Sequence, residues 1–219
     1  MRNTSFALEP GEIEKRSFEI IDSEVPEPRP FVGQEWRVVR RMIHTTADFD
    51  LLSLVSFHSD AIESGINSLI KGCTIVTDTE MSRMGITSKR MDRLGCRVEC
   101  YISASEVKEK ASRNHITRAS AAVDHVVKRL TGSIYVVGNA PTALLRLLEL
   151  IKKSECKPSL IVGMPVGFVN AAESKELLIN QDMIPFITIR GRKGGSALAA
   201  SVINELAEMS LEKKNVKYG

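Results

Sequence analysis

The chain has 219 residues, and 43% of them are hydrophobic, so it can bury the core of one large domain or two small ones. Its formal net charge of +3 suits an acidic small molecule, and an aromatic content of 5% argues against a nucleic-acid partner. The chain contains no run of about 18 apolar residues, the length that a membrane-spanning helix needs. Its N-terminus has no apolar stretch of signal-peptide length, so we predict a cytoplasmic protein.

The N-terminal part of the chain predicts helices. Residues Glu12–Ile21 form a short amphipathic stretch, and three prolines between positions 26 and 30 then break the chain. A helix is predicted over Gln34–Ala47, where apolar residues recur near one face. A second helix is predicted to begin near Ser59 and to end at Gly72.

From residue 73 onwards, short apolar strands alternate with helices. The predicted strands are Cys73–Thr77, Arg97–Ile102, Ser133–Val137, Ser159–Val162 and Phe186–Ile189. The predicted helical segments are Glu80–Met84, Arg118–Leu130, a helix from Pro141, Ala171–Ile179 and Ser196–Glu208. This alternation indicates an α/β fold: a mostly parallel sheet with helices on both faces, in a single domain.

Ligands of such sheets bind at the carboxyl ends of the strands. Here those ends carry Asp78, Gly138-Asn139, Gly163-Met164 and the loop Arg190–Ser196, which reads RGRKGGS. Glycines allow close approach to the backbone, and helix N-termini and cations favour anions. The pattern therefore predicts a site for a carboxylate-rich ligand, with a solvated basic turn as the alternative.

Nucleotide and metal sites are less well supported by the residues. The RGRKGGS loop fits neither the Walker A motif nor the dinucleotide fingerprint, so a nucleotide-binding oxidoreductase is a weak alternative. The four cysteines match no zinc signature, and we expect them to be reduced and structural. No histidine pair has metal-ligand spacing, so no metal site is predicted. His125 is expected to be structural, whereas His44 follows Arg41 by one helical turn and could act on an acidic substrate.

Several longer motifs carry a family resemblance. They are KRSF (15–18), RMIH (41–44), TDTEM (77–81), TRASAA (117–122), GNAPTAL (138–144), GMPVGFVNAAESK (163–175) and RGRKGGSA (190–197). Together they resemble the precorrin-8X methylmutase family, in order and from about Ile13 to Ala207. The expected domain is therefore one methylmutase domain over residues 1–219, with a core of about 13–207.

The resemblance implies a function. Family members move a methyl group from ring carbon 11 to ring carbon 12 of precorrin-8X or cobalt-precorrin-8, giving hydrogenobyrinic or cobyrinic acid. They form homodimers whose active sites involve both subunits. By resemblance His44 is the catalytic histidine, and Ser17, Arg41, Thr87 and Arg118 contact the substrate.

The carboxyl-edge loops add candidates from the residues themselves. These are Asn139 and the loop residues Arg192, Gly194 and Gly195, which could hold the corrinoid's many carboxylates. A methyl shift needs no redox cofactor, but it does need a placed proton, and histidine is a natural donor. A corrinoid-binding protein without turnover is the alternative.

Overall fold

Apolar segments of three or four residues build a six-stranded sheet in the computed structural model, which describes residues 10–218. The strands are β1 (Val55–Phe57), β2 (Thr74–Thr77), β3 (Arg97–Cys100), β4 (Ile134–Val137), β5 (Leu160–Gly163) and β6 (Phe186–Ile189). Their order across the sheet is β1-β6-β5-β4-β2-β3. All neighbouring strands are parallel except β1, which runs antiparallel to β6.

Helices cover both faces of this sheet. They are α1 (Pro10–Glu24), α2 (Gly33–Thr46), α3 (Leu51–Leu54), α4 (Ala61–Ile70), α5 (Glu80–Gly85), α6 (Ser88–Leu94), α7 (Ser105–Arg113), α8 (Arg118–Val126), α9 (Pro141–Lys152), α10 (Ala171–Ile179) and α11 (Ser196–Tyr218). On one face α11 packs against α2, α4, α5 and α6, and on the other α9 packs against α8 and α10.

Strand β4 shows why both faces must be covered. Ile134 and Val136 join the apolar core beneath α11, whereas Tyr135 and Val137 join the core beneath α9. All four side chains are buried, as expected of a central parallel strand with period-two alternation. The predicted α/β fold with a mostly parallel sheet is confirmed.

The structure also corrects several predicted boundaries. The helix predicted to begin near Ser59 is α4, which begins at Ala61 and has Asp60 at its N-cap position. The helix predicted over Arg118–Leu130 ends at Val126 and continues as a 3-10 turn. The last helix runs on to Tyr218, since no helix-breaking residue follows Glu208 before Gly219.

Two further structural facts bear on function. Within residues 10–218, no helix is both long and apolar enough to cross a membrane. The four cysteines are all free thiols.

Candidate active site

The carboxyl end of β2 fixes the loop that follows β4. The buried carboxylate of Asp78 accepts backbone hydrogen bonds from Gly138 (2.8 Å), Asn139 (2.9 Å) and Ala140 (2.7 Å). Burial raises the pKa of this carboxyl group, and the three N–H donors partly offset that effect. Asn139 is itself exposed, and Ala140 rather than Asn139 takes the N-cap position of α9. The loop is therefore rigid, with the Asn139 side chain available to a ligand.

The RGRKGGS loop packs its backbone tightly against the end of β5. A Cβ atom at Gly194 would lie 2.5 Å from the carbonyl oxygens of Met164 and Pro165, so only glycine fits there. The N–H of Gly195 donates to the Met164 carbonyl at 2.9 Å. Arg192 is exposed, and its guanidinium lies 5.4 Å from the ring centroid of Phe168. A cation and an aromatic ring thus stand together on a fixed loop.

Lys193 links this loop to the end of α2. Its Nζ atom contacts Asp48 Oδ2 at 2.6 Å and Asp50 Oδ2 at 2.7 Å, just beyond the last residue of α2. His44 lies in the last turn of α2. The predicted catalytic histidine and the cationic loop are therefore on neighbouring parts of the same edge of the molecule.

Helices α1 and α2 bring Ser17 and His44 together. Both line a cavity of about 350 Å³, whose other walls are Ile20, Ile21, Glu24, Ile43, Ala47 and Phe49. The His44 ring packs edge-on against Phe18, with 5.2 Å between centroids. Ser17 Oγ donates to the Ile13 carbonyl at 2.8 Å. The cavity is mostly apolar, with an imidazole and a hydroxyl group in its wall.

Arg41 lies one turn before His44 and is held by two carboxylates that the sequence did not reveal. Its Nε donates to Glu205 Oε2 at 2.9 Å, and its Nη1 donates to Glu14. Burial lowers the pKa of Arg41, but these hydrogen bonds raise it above its ordinary value. Burial raises the pKa of Glu14, but the hydrogen bond and the charge of Arg41 lower it by more, so the pKa of Glu14 lies below its ordinary value. The charges of His44 and Arg90 lower the Glu14 pKa further.

Thr87 is the N-cap residue of α6, the helix that contains Arg90. Its N–H donates to Asn204 Oδ1 at 2.9 Å, and its hydroxyl accepts from Arg90 Nη1 at 3.2 Å. Arg90 Nε also donates to Glu208 Oε2 at 2.6 Å. Thr87 is thereby held between α6 and α11, through Arg90 and Asn204.

Arg118 is the first residue of α8 and is exposed. The hydroxyl groups of Thr117 and Thr142 share a hydrogen bond of 2.8 Å, which ties the start of α8 to the start of α9. Arg118 therefore lies close to the loop 138–140. It makes no hydrogen bond or ion pair with the residues that the structure describes, so its guanidinium is available to a ligand.

Most of the predicted residues fall into two groups. Ser17, Arg41 and His44 lie on α1 and α2, whereas Thr87 precedes α6 and contacts Arg90 and Asn204. The loops at the carboxyl edge carry Asn139, Arg192, Gly194 and Gly195, with Arg118 beside them. Among the described residues, no three His, Cys, Asp or Glu side chains are grouped so that they could hold a metal ion.

The remaining histidines have other surroundings. His58 packs against Phe186 and His125 against Tyr101, with ring centroids 5.9 and 5.2 Å apart. His115 is exposed and has a positive φ of 52°. The cavity that contains Ser17 is lined by His44 and by none of these three.

An α/β protein with an imidazole-lined cavity and cationic, glycine-rich loops fits an enzyme that acts on a carboxylate-rich molecule. Residues 12–209 match the model of the precorrin-8X methylmutase family, and the chain belongs to that family. The family consists of isomerases of cobalamin biosynthesis that move a methyl group from ring carbon 11 to ring carbon 12, giving hydrogenobyrinic or cobyrinic acid. Membership supports this activity rather than corrinoid binding without turnover.

Individual members of the family are similar to this chain over most of their length. The chain is 44% identical over 200 residues to the cobalt-precorrin-8 methylmutase of Priestia megaterium, covering 91% of this chain and 88% of that one. It is 39% identical to the precorrin-8X methylmutase of a Sinorhizobium species, covering 91% and 94%. The crystal structure of precorrin-8X methylmutase from Thermus thermophilus superposes with a TM-score of 0.87 at 40% identity, covering 93% and 97%.

Proposed function

We propose that this chain performs the methyl shift in a site formed by the α1–α2 cavity and the carboxyl-edge loops. The observation that carries the proposal is the contact of Lys193 with Asp48 and Asp50, because it joins the cationic loop to the end of the helix that bears His44. A macrocycle lying across this junction would place its ring at the cavity and its carboxylates on the loops. Charge-assisted hydrogen bonds and helix N-termini suit such carboxylates.

His44 is the proposed proton donor. The methyl shift is an isomerisation, so it needs no external nucleophile, and any proton that the enzyme gives must be returned. In the proposal His44 gives a proton to the macrocycle as the methyl group migrates, and its imidazole then takes a proton back from the rearranged ring, so that substrate and product are isomers and the enzyme is restored. The edge-on contact with Phe18 supports a fixed ring orientation for this transfer.

Arg41 is proposed to exchange one partner when the substrate binds. Glu205 is 4% exposed, so its hydrogen bond to Arg41 Nε is shielded and orients the guanidinium. Glu14 is exposed and accepts from the outer Nη1 group. A substrate carboxylate would take the place of Glu14 while Glu205 keeps the arginine in position.

Binding of hydrogenobyrinic acid tests the substrate-contacting residues. Arg118→Ala should raise its dissociation constant about tenfold or more, because a charge-assisted hydrogen bond contributes roughly 1.5–3 kcal/mol. Arg113→Ala removes an exposed arginine at the end of α7 and serves as the matched control. Titration followed by visible absorbance gives the constants, and equal affinities for both variants and the wild type would remove Arg118 from the site.

Relatives bear the names of both the cobalt and the metal-free substrate. The natural substrate of this chain is therefore open to a direct comparison. Single-turnover spectra with precorrin-8X and with cobalt-precorrin-8 under identical conditions will show which one the enzyme converts faster.

We also infer that the working form is a cytoplasmic homodimer built from one methylmutase domain over residues 1–219, with a core of about 13–207. The match of the family model to residues 12–209 supports the single domain. Phe168 and Val169 are 83% and 77% exposed beside Arg192, a surface that a second subunit could cover. Sedimentation equilibrium should give about twice 24.2 kDa, and a fully active monomer would contradict a shared site.

A further inference from the structure

Helix α10 contains a lysine that the methyl shift does not account for. Lys175 is fully buried, yet it forms no ion pair with any residue in the range 10–218. Burial lowers its pKa to about 8. Burying an ammonium group without a carboxylate partner is unfavourable, and a side chain such as methionine would fill the same space without that penalty. Lys175 therefore calls for a role other than packing.

The hydrogen bond of Lys175 connects it to the RGRKGGS loop. Its Nζ atom donates to the backbone carbonyl of Lys193 at 2.5 Å. Arg190, at the start of the same loop, contacts Glu176 of α10 at 2.8 Å. Helix α10 therefore holds the RGRKGGS loop at two points, and the inner one is shielded from water.

Lys193 carries this restraint across to α2. Its carbonyl is held by Lys175, while its own ammonium group contacts Asp48 and Asp50 at 2.6 and 2.7 Å. Those two carboxylates lie within six residues of His44 and directly after the end of α2. One residue thus connects the buried lysine, the cationic loop and the end of the His44 helix.

We propose that Lys175 is a positioning residue, which holds the Lys193 carbonyl and thereby sets the RGRKGGS loop and the end of α2 at a fixed separation. The inference rests on the proposed site, in which the loop binds carboxylates and His44 moves the proton. Loss of Lys175 changes both substrate binding and the geometry of proton transfer. Loss of a loop cation alone changes binding only.

The test compares the KM and kcat of full-length variants with precorrin-8X as the substrate. Lys175→Met removes the donor at nearly constant volume, and Lys152→Met, at an exposed position near the end of α9, is its control. Arg192→Ala removes only the loop cation, and Asp48→Asn/Asp50→Asn breaks the link to α2. Circular dichroism at the assay temperature verifies that each variant is folded.

We expect Lys175→Met to raise KM and lower kcat, each by about tenfold, since small misplacements of catalytic groups are costly. Arg192→Ala should raise KM and leave kcat nearly unchanged, and Lys152→Met should match the wild type. Combining Lys175→Met with the Asp48/Asp50 double variant should reduce kcat little further, because both act through Lys193. Rescue of kcat in Lys175→Gln, which retains a donor, would support the same conclusion.

Two outcomes would overturn the proposal. One is wild-type kcat in Lys175→Met, and the other is a fully additive loss of kcat in the combined variant. If Lys175→Met does not fold, the Asp48/Asp50 double variant replaces it as the test, because both carboxylates lie near the surface and their loss should leave the fold intact. Wild-type KM and kcat in that double variant would equally overturn the proposal. If Arg192→Ala and His44→Ala both behave as wild type, the proposed site itself is wrong, which is a different failure.

Discussion

Gly194→Ala should impair both the stability of the protein and its binding of corrinoids. The new Cβ atom would lie 2.5 Å from two backbone carbonyl oxygens, those of Met164 and Pro165, whereas ordinary contact begins at 3.4 Å. Neither oxygen belongs to a flexible side chain, so the loop and the end of β5 must separate. Such overpacking typically costs about 1–3 kcal/mol of unfolding free energy. For a chain of this size, each kcal/mol corresponds to a decrease of about 2–4 °C in Tm.

The separation also moves Arg192 and the N–H of Gly195 away from their positions in the proposed site. Affinity for hydrogenobyrinic acid should therefore fall by about tenfold or more, as one charge-assisted contact is weakened. Gly11→Ala is the matched control, because a Cβ there meets no atom within 4 Å and its helical position tolerates alanine. Thermal unfolding and visible titration measure the two effects. A Gly194→Ala protein with wild-type Tm and wild-type affinity would refute the reasoning.

Three further substitutions test separate parts of the structure. Asp78→Asn should lower the free energy of unfolding by about 1–3 kcal/mol in urea titrations, because one amide oxygen cannot replace two acceptor oxygens for three N–H groups; an unchanged midpoint would contradict this. Glu14→Gln should tighten the binding of hydrogenobyrinic acid up to about fivefold by releasing Arg41 from an exposed ion pair, and weaker binding would oppose the exchange of partners. The pKa of Lys175 is about 8 when folded and 10.5 ordinarily, so the unfolded chain binds more protons between these values. The free energy of unfolding of the wild type should therefore rise relative to that of Lys175→Met between pH 8 and pH 10.5, by up to about 1.4 kcal/mol per pH unit. A difference between the two proteins that does not change with pH would contradict a lowered pKa of Lys175.

The sequence predicted the central strands because they are apolar throughout and end in glycine or polar residues. Strand β1 was missed, since its three residues, Val55–Phe57, are too short for any period to be recognised. Helices α6 and α7 were also missed, because they are short and mainly polar on their outer faces. The antiparallel edge formed by β1 follows from pairing with β6, which no local pattern encodes.

The site was predicted in part for the same reasons. Asp78 and the loops were found because strand ends have a known place in an α/β sheet. The two carboxylate partners of Arg41 were not predicted; Glu205, the buried one, lies 164 residues away in α11. No sequence pattern distinguishes Lys175 from a solvated helical lysine, and only the packing of α10 against the RGRKGGS loop reveals that it is buried.

Turnover by His44→Ala tests the central claim most directly. A placed proton donor contributes about 10²–10⁴-fold in rate, so single-turnover conversion of precorrin-8X should slow by that factor. Binding should persist, because the carboxylate contacts on Arg118 and the loops remain, and the coloured complex with hydrogenobyrinic acid should still form. Conversion at a near wild-type rate would place the proton donor elsewhere. Loss of binding together with turnover would mean that His44 holds the ring or the fold rather than the proton.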